Sequence, residues 1–307
     1  MLQDAKIIKA DAGDEYFRQT AKKGDKDYAV SRSDLVAIKS CPHKWLFTEE
    51  KEETSSMNWG NIIDRLLLGG ESAIVIVPET YVATDGKSKP WNWNSNTCKS
   101  WRDEHKGQLT CNVDTIQQAR MAVNQIKASP VVAPILKDAA HQVWVSAVWA
   151  DNNGVEFPVK CLIDIVPARI PALVDLKTTQ SIELRQYSRT IFNFGYHVQA
   201  ALYLDMFNSA VNKEERTQFL HIAQESVDPY EVGRRYLSYD WIALGRAEYR
   251  EAMRLYARCI KSGVWPSYDD MESPSIANMD GWVTVNPEPW MILHSGVDIE
   301  STPDWAK

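Results

Sequence analysis

The sequence predicts an α/β chain of the α+β-like kind, in which helices flank a sheet. Two observations carry this. Residues 143–177 read as three consecutive antiparallel strands, and amphipathic helical patterns stand on both sides of them. At 307 residues, 44% hydrophobic and 24% charged, the chain has ample material for a core and an ordinary soluble composition.

Taken in order, residues 1–28 are charged and weakly periodic, which predicts a loosely packed arm. Ser31-Arg-Ser-Asp34 resembles a capping box that opens a helix with Leu35 and Ile38 on its apolar side. A second helix is expected over 57–68, with Trp59, Ile62, Ile63, Leu66 and Leu67 as its buried stripe and Gly69-Gly70 as its stop. Asp64 falls among these apolar residues; it is either a solvent-edge acid or a ligand. A short strand is expected over 73–77. Residues 84–101 read as a polar loop carrying Trp91, Trp93 and Trp101 with Lys99 and Arg102 near them. Those aromatics suit base stacking, but the preferred reading is that they pin the loop to the body or to another subunit. A helix over 114–128 ends at Ser129-Pro130.

The strand over 143–149 turns at Asp151-Asn-Asn-Gly154 into the stretch 160–179, KCLIDIVPARIPALVDLKTT. Here strands over 159–166 and 172–177 flank a turn with Pro167 and Pro171. A turn centred on Arg169 and Ile170 places Asp164 opposite Asp175, about 5 Å apart at Cβ, with Lys177 on the same face. Two such carboxylates repel by roughly 3 kcal/mol at an effective dielectric near 20. In an otherwise apolar ribbon this calls for a cation, and a divalent metal beside Lys177 is the expected one. Helices over 182–194 and 196–208 follow, broken at Gly195, with Gln199 and Tyr203 on one face. Strands over 218–224 and 234–238 lead to a long helix over 239–261, closed by Gly263. The remainder is rich in Pro and Trp and predicts an extended tail packed on the body or on a neighbouring subunit.

A net charge of −7 gives no general attraction to nucleic acid and argues against a passive DNA-coating protein. The five cysteines form no CxxC pair, which points to a reducing compartment and away from a thiolate metal site. The N-terminus lacks a signal-peptide core and no apolar run could span a bilayer, so a cytoplasmic protein without membrane association is expected.

The order of these motifs resembles the PD-(D/E)xK nucleases, in the RecB-like branch, and within it the RecE (exonuclease VIII) type. The likeness rests on Asp175-Leu-Lys-Thr-Thr179, Tyr187-Ser-Arg-Thr-Ile191 and Phe194-Gly-Tyr-His-Val-Gln-Ala-Ala-Leu-Tyr-Leu-Asp205. Cys41-Pro42, Asp228-Pro-Tyr230 and Gly263-Val-Trp-Pro-Ser-Tyr268 extend it over residues 30–270. The resemblance implies a central mixed β-sheet flanked by helices, a restriction-endonuclease-like core spanning 29–270, between an arm (1–28) and a tail (271–307). It further implies Mg²⁺, with Mn²⁺ able to substitute, held by Asp164, Asp175, the Leu176 carbonyl and Asp64. Asp64 stands where relatives carry a His. Lys177 would orient water or stabilise developing charge, with Gln199 and Tyr203 as supporting or DNA-backbone contacts. Thr178, Thr179, Arg185, Arg189, Lys99 and Arg102 are the implied DNA contacts. Where relatives have an acid and an arginine near the hairpin, this chain has Trp144 and Leu162.

The activity implied is exonucleolytic hydrolysis from double-stranded DNA ends, 5′ to 3′, by a ring-shaped homo-oligomer such as a tetramer, working with a single-strand annealing protein in phage-type recombination. A RecB-like endonuclease or flap nuclease, and a catalytically degenerate DNA-end binder, are the alternatives.

Overall fold

The computed structural model describes residues 1–49, 54–213 and 215–271, and short pieces of the tail (277–278, 282–283, 285 and 287). In chain order the elements are β1 (Leu2–Lys9), α1 (Arg32–Ser40), α2 (Pro42–Phe47), α3 (Ser55–Leu68), β2 (Ile74–Ile76), β3 (Thr80–Val82), β4 (Ser88–Pro90), α4 (Asn96–Glu104), β5 (Leu109–Cys111), α5 (Val113–Ala128) and α6 (Ala133–Leu136). There follow β6 (Ala140–Ala150), β7 (Glu156–Val166), β8 (Ala172–Thr179), α7 (Leu184–Asn193), α8 (Tyr196–Ala210), β9 (Gln218–Glu225), β10 (Val232–Tyr236), α9 (Tyr239–Ser262), α10 (Tyr268–Met271), β11 (Ala277–Asn278) and β12 (Trp282–Val283). The expected tail therefore lies mostly outside the described residues. No helix among the described residues is long and apolar enough to cross a membrane.

The main sheet runs β1-β6-β7-β8-β9-β10. Its pairs are antiparallel except β8 with β9, which is parallel, so the sheet is mixed as the family resemblance implies. One face is covered by α1, α8 and α9 over a core of Val145, Cys161, Ile163, Leu202, Met206 and Tyr256. The opposite face is covered by α3 and α5, over Ile165, Val174, Leu176 and Ile222. The helix ends obey local chemistry. Ser31 and Asp34 complete a reciprocal capping box at α1, and Gly69, Gly195 and Gly263 take left-handed backbone at helix boundaries.

Two expectations need correction. The stretch 1–28 is not simply a loosely packed arm. It begins as edge strand β1 on β6, and Val30 pairs with Val159 of β7 through hydrogen bonds to Pro158 and from Lys160, each 2.9 Å. A charged, mostly exposed edge strand needs no apolar alternation, which is why its pattern is silent. Residues 84–101 are not one loop, since β4 pairs with β3 and α4 follows. Trp91 sits 5.5 Å from Trp93 and 5.4 Å from Trp101, and Trp101 stacks on His105 at 4.1 Å. The tryptophans pack on one another, which favours the pinning role over a row of free stacking surfaces.

Candidate active site

The hairpin forms in the register its sequence predicts. Ile165 pairs with Val174, which carries Asp164 opposite Asp175. The ladder between β7 and β8 is one pair long. Beyond it the strands part, and the Asp164 carboxylate takes the place of a backbone acceptor, its Oδ2 receiving the Leu176 N–H at 2.9 Å. On the other side of β7, the pairing with β6 lacks the rung between Val143↔Ile163 and His141↔Ile165, where Gln142 has a φ of 46°. A positive φ is uncommon in a non-glycine residue. Ile163 and Ile165 belong to the two different cores, so the strand changes face at Asp164. The site is built at this local break in the sheet.

Asp175 is 2% exposed. Its Oδ1 accepts from Gln199 Nε2 on α8, and its Oδ2 is ion-paired with Lys177 Nζ, two residues along the same strand face. The Lys177 ammonium lies 4.6 Å from the Tyr196 ring centre. Arg32, at the start of α1, donates to Gln199 Oε1 (3.4 Å) and to the Phe194 carbonyl (3.1 Å), and its guanidinium stands 6.0 Å from the same Tyr196 ring. On β9, buried His221 is the register partner of Asp175, and its Nδ1 is 2.9 Å from the Tyr187 hydroxyl. Burial pushes the imidazole down to about 3, so it is neutral.

Asp64 arrives from α3, whose buried residues Ile62, Ile63, Leu66 and Leu67 seat the helix on the sheet and leave Asp64 half-buried. Gly60 permits the approach: a Cβ there would stand 3.2 Å from Thr178 Oγ1. Gln142 Nε2, from the irregular point of β6, donates to Asp64 Oδ2 at 3.1 Å.

The charges do not balance. Burial, then the Asp175 charge, raises Asp64 to about 6 against the opposing pull of Arg65 and Lys177. Burial, then Asp175 and Asp64, raises Asp164 well above the carboxylate range. Burial also acts to raise Asp175, but the Lys177 ammonium, with help from His221 and the Arg32 guanidinium, outweighs it and holds this carboxyl below its ordinary value. Lys177 thus satisfies one acid of three.

This donor set fits a hard divalent cation. All its oxygens are carboxylate or backbone, and the surplus negative charge is what such an ion would neutralise. Among the described residues no group of three or more His, Cys, Asp or Glu side chains stands in an arrangement that by itself holds a metal ion. Mg²⁺ requires none, because it typically uses one or two carboxylates and completes its shell with water and phosphate oxygens.

The remaining expected residues divide. Tyr203 is 7% exposed, with its ring 6.4 Å from Phe219, so a supporting position suits it and a DNA contact does not. Thr178 faces Gly60, and Thr179 Oγ1 donates to the Ser181 carbonyl at 3.2 Å. Arg185 and Arg189 are exposed on α7. Lys99 and Arg102 are exposed on α4, a helix associated with the tryptophan cluster and not with the carboxylates. Sequence reasoning missed Arg32, Gln142, Tyr196 and His221. Trp144 and Leu162 are register partners, and they pack with Ala12 and Tyr16 in a small apolar cluster.

No curated protein matches the chain. Among solved structures, one from Eubacterium rectale described as a "putative exonuclease" is similar in fold, with TM-score 0.54 and 16% identity over 88% of this chain and 94% of its own. Rai1 from Candida albicans, solved with pU5 and Mn²⁺, shares 11% identity over 74% of this chain and 66% of its own, at TM-score 0.23. Rai1 from Scheffersomyces stipitis shares 12% over 84% and 73%, at TM-score 0.24. Both Rai1 likenesses are too weak to bear on the site. The sequence profile of the family described as a PDDEXK-like domain of unknown function matches residues 31–273, and the chain belongs to that family.

Proposed function

We propose that the chain is a Mg²⁺-dependent exodeoxyribonuclease that hydrolyses phosphodiester bonds from double-stranded DNA ends, 5′ to 3′. The observation that supports this most directly is the crowding of three acids: burial and neighbouring carboxylate charge raise Asp64 and Asp164, while Asp175 is held down beside Lys177. Asp164, Asp175, Asp64 and the Leu176 carbonyl would hold the metal, and Mn²⁺ would substitute. Bound there, the ion would supply Lewis-acid polarisation of the phosphate and a more acidic water.

The chain's own residues do the positioning. Lys177 presents its ammonium beside Asp175, where it can orient the attacking water and stabilise charge developing on the phosphate. Gln199 fixes the Asp175 carboxylate, and Arg32 in turn holds the Gln199 amide carbonyl. Gln142 holds Asp64. The acidic exterior suits a ring of copies whose exposed arginines, Arg185 and Arg189 on α7, face an enclosed duplex, with a single-strand annealing protein receiving the product strand.

One feature favours a second reading, a degenerate end binder: Leu162, buried, and Trp144, partly buried, pack with Tyr16 where the resemblance leads one to expect polar groups. The intact acid and lysine set favours the enzyme. Linear duplex labelled separately at each 5′ and 3′ end, digested in Mg²⁺ beside a covalently closed circle, decides. Loss of the 5′ label first, with the circle spared, is expected. Linear duplex bound but left uncut would overturn the enzyme reading, and a cut circle would make it an endonuclease.

A further inference from the structure

An exposed aromatic face is a stacking surface for a flat ligand such as a nucleobase. Phe194 presents one. It is 60% exposed, and its ring lies 5.8 Å from that of Tyr196 at an interplanar angle of 22°, a stacked pair. Tyr196 is the ring beneath Lys177 and within reach of Arg32. The pair is also held rigidly. The Phe194 carbonyl accepts from Arg32 Nη1, and its N–H bonds the Thr190 carbonyl at 3.1 Å. Between the two aromatics, Gly195 has a φ of 64°, and a Cβ there would stand 2.6 Å from Val36 Cγ2. The elbow between α7 and α8 is therefore fixed against α1, and an exposed ring is stacked on Tyr196, the ring that lies against the lysine of the site.

Resting on the nuclease reading, we propose that Phe194, backed by Tyr196, is a stacking platform for an unpaired nucleobase adjacent to the phosphate at Lys177. The chemistry is complementary at each point. A nucleobase offers a flat apolar face for the phenyl ring, and its phosphate is drawn to Lys177 and Arg32. Stacking is indifferent to base identity, so the platform engages a frayed or unpaired end of any sequence.

The test uses the full chain and linear duplexes carrying 2-aminopurine in turn at each nucleotide near an end of either strand, in chelator so that nothing is cut. Binding should change the emission at one such position. Phe194→Ala should abolish that change and weaken binding about tenfold, Phe194→Trp should retain both, and an abasic site at the reporting position should weaken wild-type binding to a similar degree. Because Phe194 is largely exposed, the alanine variant should keep its fold, which the tryptophan variant controls. Equal emission and affinity for wild type and Phe194→Ala would overturn the proposal. So would an effect of Phe194→Ala confined to sedimentation, which would make the pair a contact between copies. Cleavage of end-labelled duplex by wild type in Mg²⁺, run in parallel, separates the two ideas. Cleavage with unresponsive emission refutes the platform alone, and responsive emission without cleavage refutes the nuclease reading alone.

Discussion

Replacing Asp64 by Asn should make the metal-free protein more stable. The Asp64 carboxyl is raised from 3.8 to about 6, first by burial and then by the Asp175 charge. A shift of this size corresponds to about 3 kcal/mol between its protonated and ionised forms. Solvent at this half-buried position reduces that to about 1–2 kcal/mol. The sign follows from proton linkage. The folded state holds this proton more tightly than the unfolded state, so stability falls as pH rises from about 4 to about 6, and above that the whole penalty is present. Asparagine removes the charge, keeps the shape and still accepts from Gln142 Nε2. In chelator at about pH 8, Asp64→Asn should therefore melt about 2–5 °C higher than wild type. The difference should shrink towards zero as pH falls to about 4. Millimolar Mg²⁺ should reverse the order, because an ion bound only by the folded state stabilises wild type more than the variant. Differential scanning calorimetry across pH, with and without Mg²⁺, reads all of this. An Asp64→Asn protein no more stable than wild type at the alkaline end, or a difference that does not vary with pH, would refute the electrostatic reasoning.

Lys177→Ala should abolish cleavage. It should also destabilise the metal-free protein by about 3 kcal/mol by stranding the buried Asp175 charge, as denaturant titration would show, with Mg²⁺ restoring part of the loss. Tyr16→Ala should cost about 3 kcal/mol, because the ring packs 6.1 Å from Trp144 and stands 4.7 Å from the Lys160 ammonium; chemical denaturation checks it. Gly195→Ala should lower both melting temperature and cleavage rate, since the new methyl must displace Val36 and tilt Gln199 away from Asp175; calorimetry and the end-labelled digest would show whether the losses come together.

Much of the site was legible because it is local. The hairpin register depended on a turn between two prolines, and the facing acids followed from it. The α3 helix and its Asp64, the break at Gly195 and the i, i+4 placement of Gln199 are all properties of short windows. What escaped notice depends on contacts distant in sequence. Arg32 meets Gln199 across 167 positions, and Gln142 meets Asp64 across 78. Neither leaves a periodic trace in its own segment. Arg32 reads locally as part of a helix start, and Gln142 as the polar end of a strand. β1 was missed for a related reason: an edge strand covered on few sides need not alternate. The tryptophan segment misled because its small core draws on a hairpin and a helix together, so no single period describes it.

The single-rung contact between β7 and β8 bears on how any inactivated variant should be read. Asp164 is a backbone surrogate there: its side chain accepts the N–H of Leu176, which a continued ladder would give to a strand carbonyl. Truncating it removes an acid and also frees that amide to seek a carbonyl on the neighbouring strand. A protein with alanine at position 164 could therefore zip its own cleft partly shut. Such a protein would be a poor trap for bound DNA, and asparagine, which keeps an oxygen acceptor and the same length, is the substitution that separates loss of charge from loss of the opening itself.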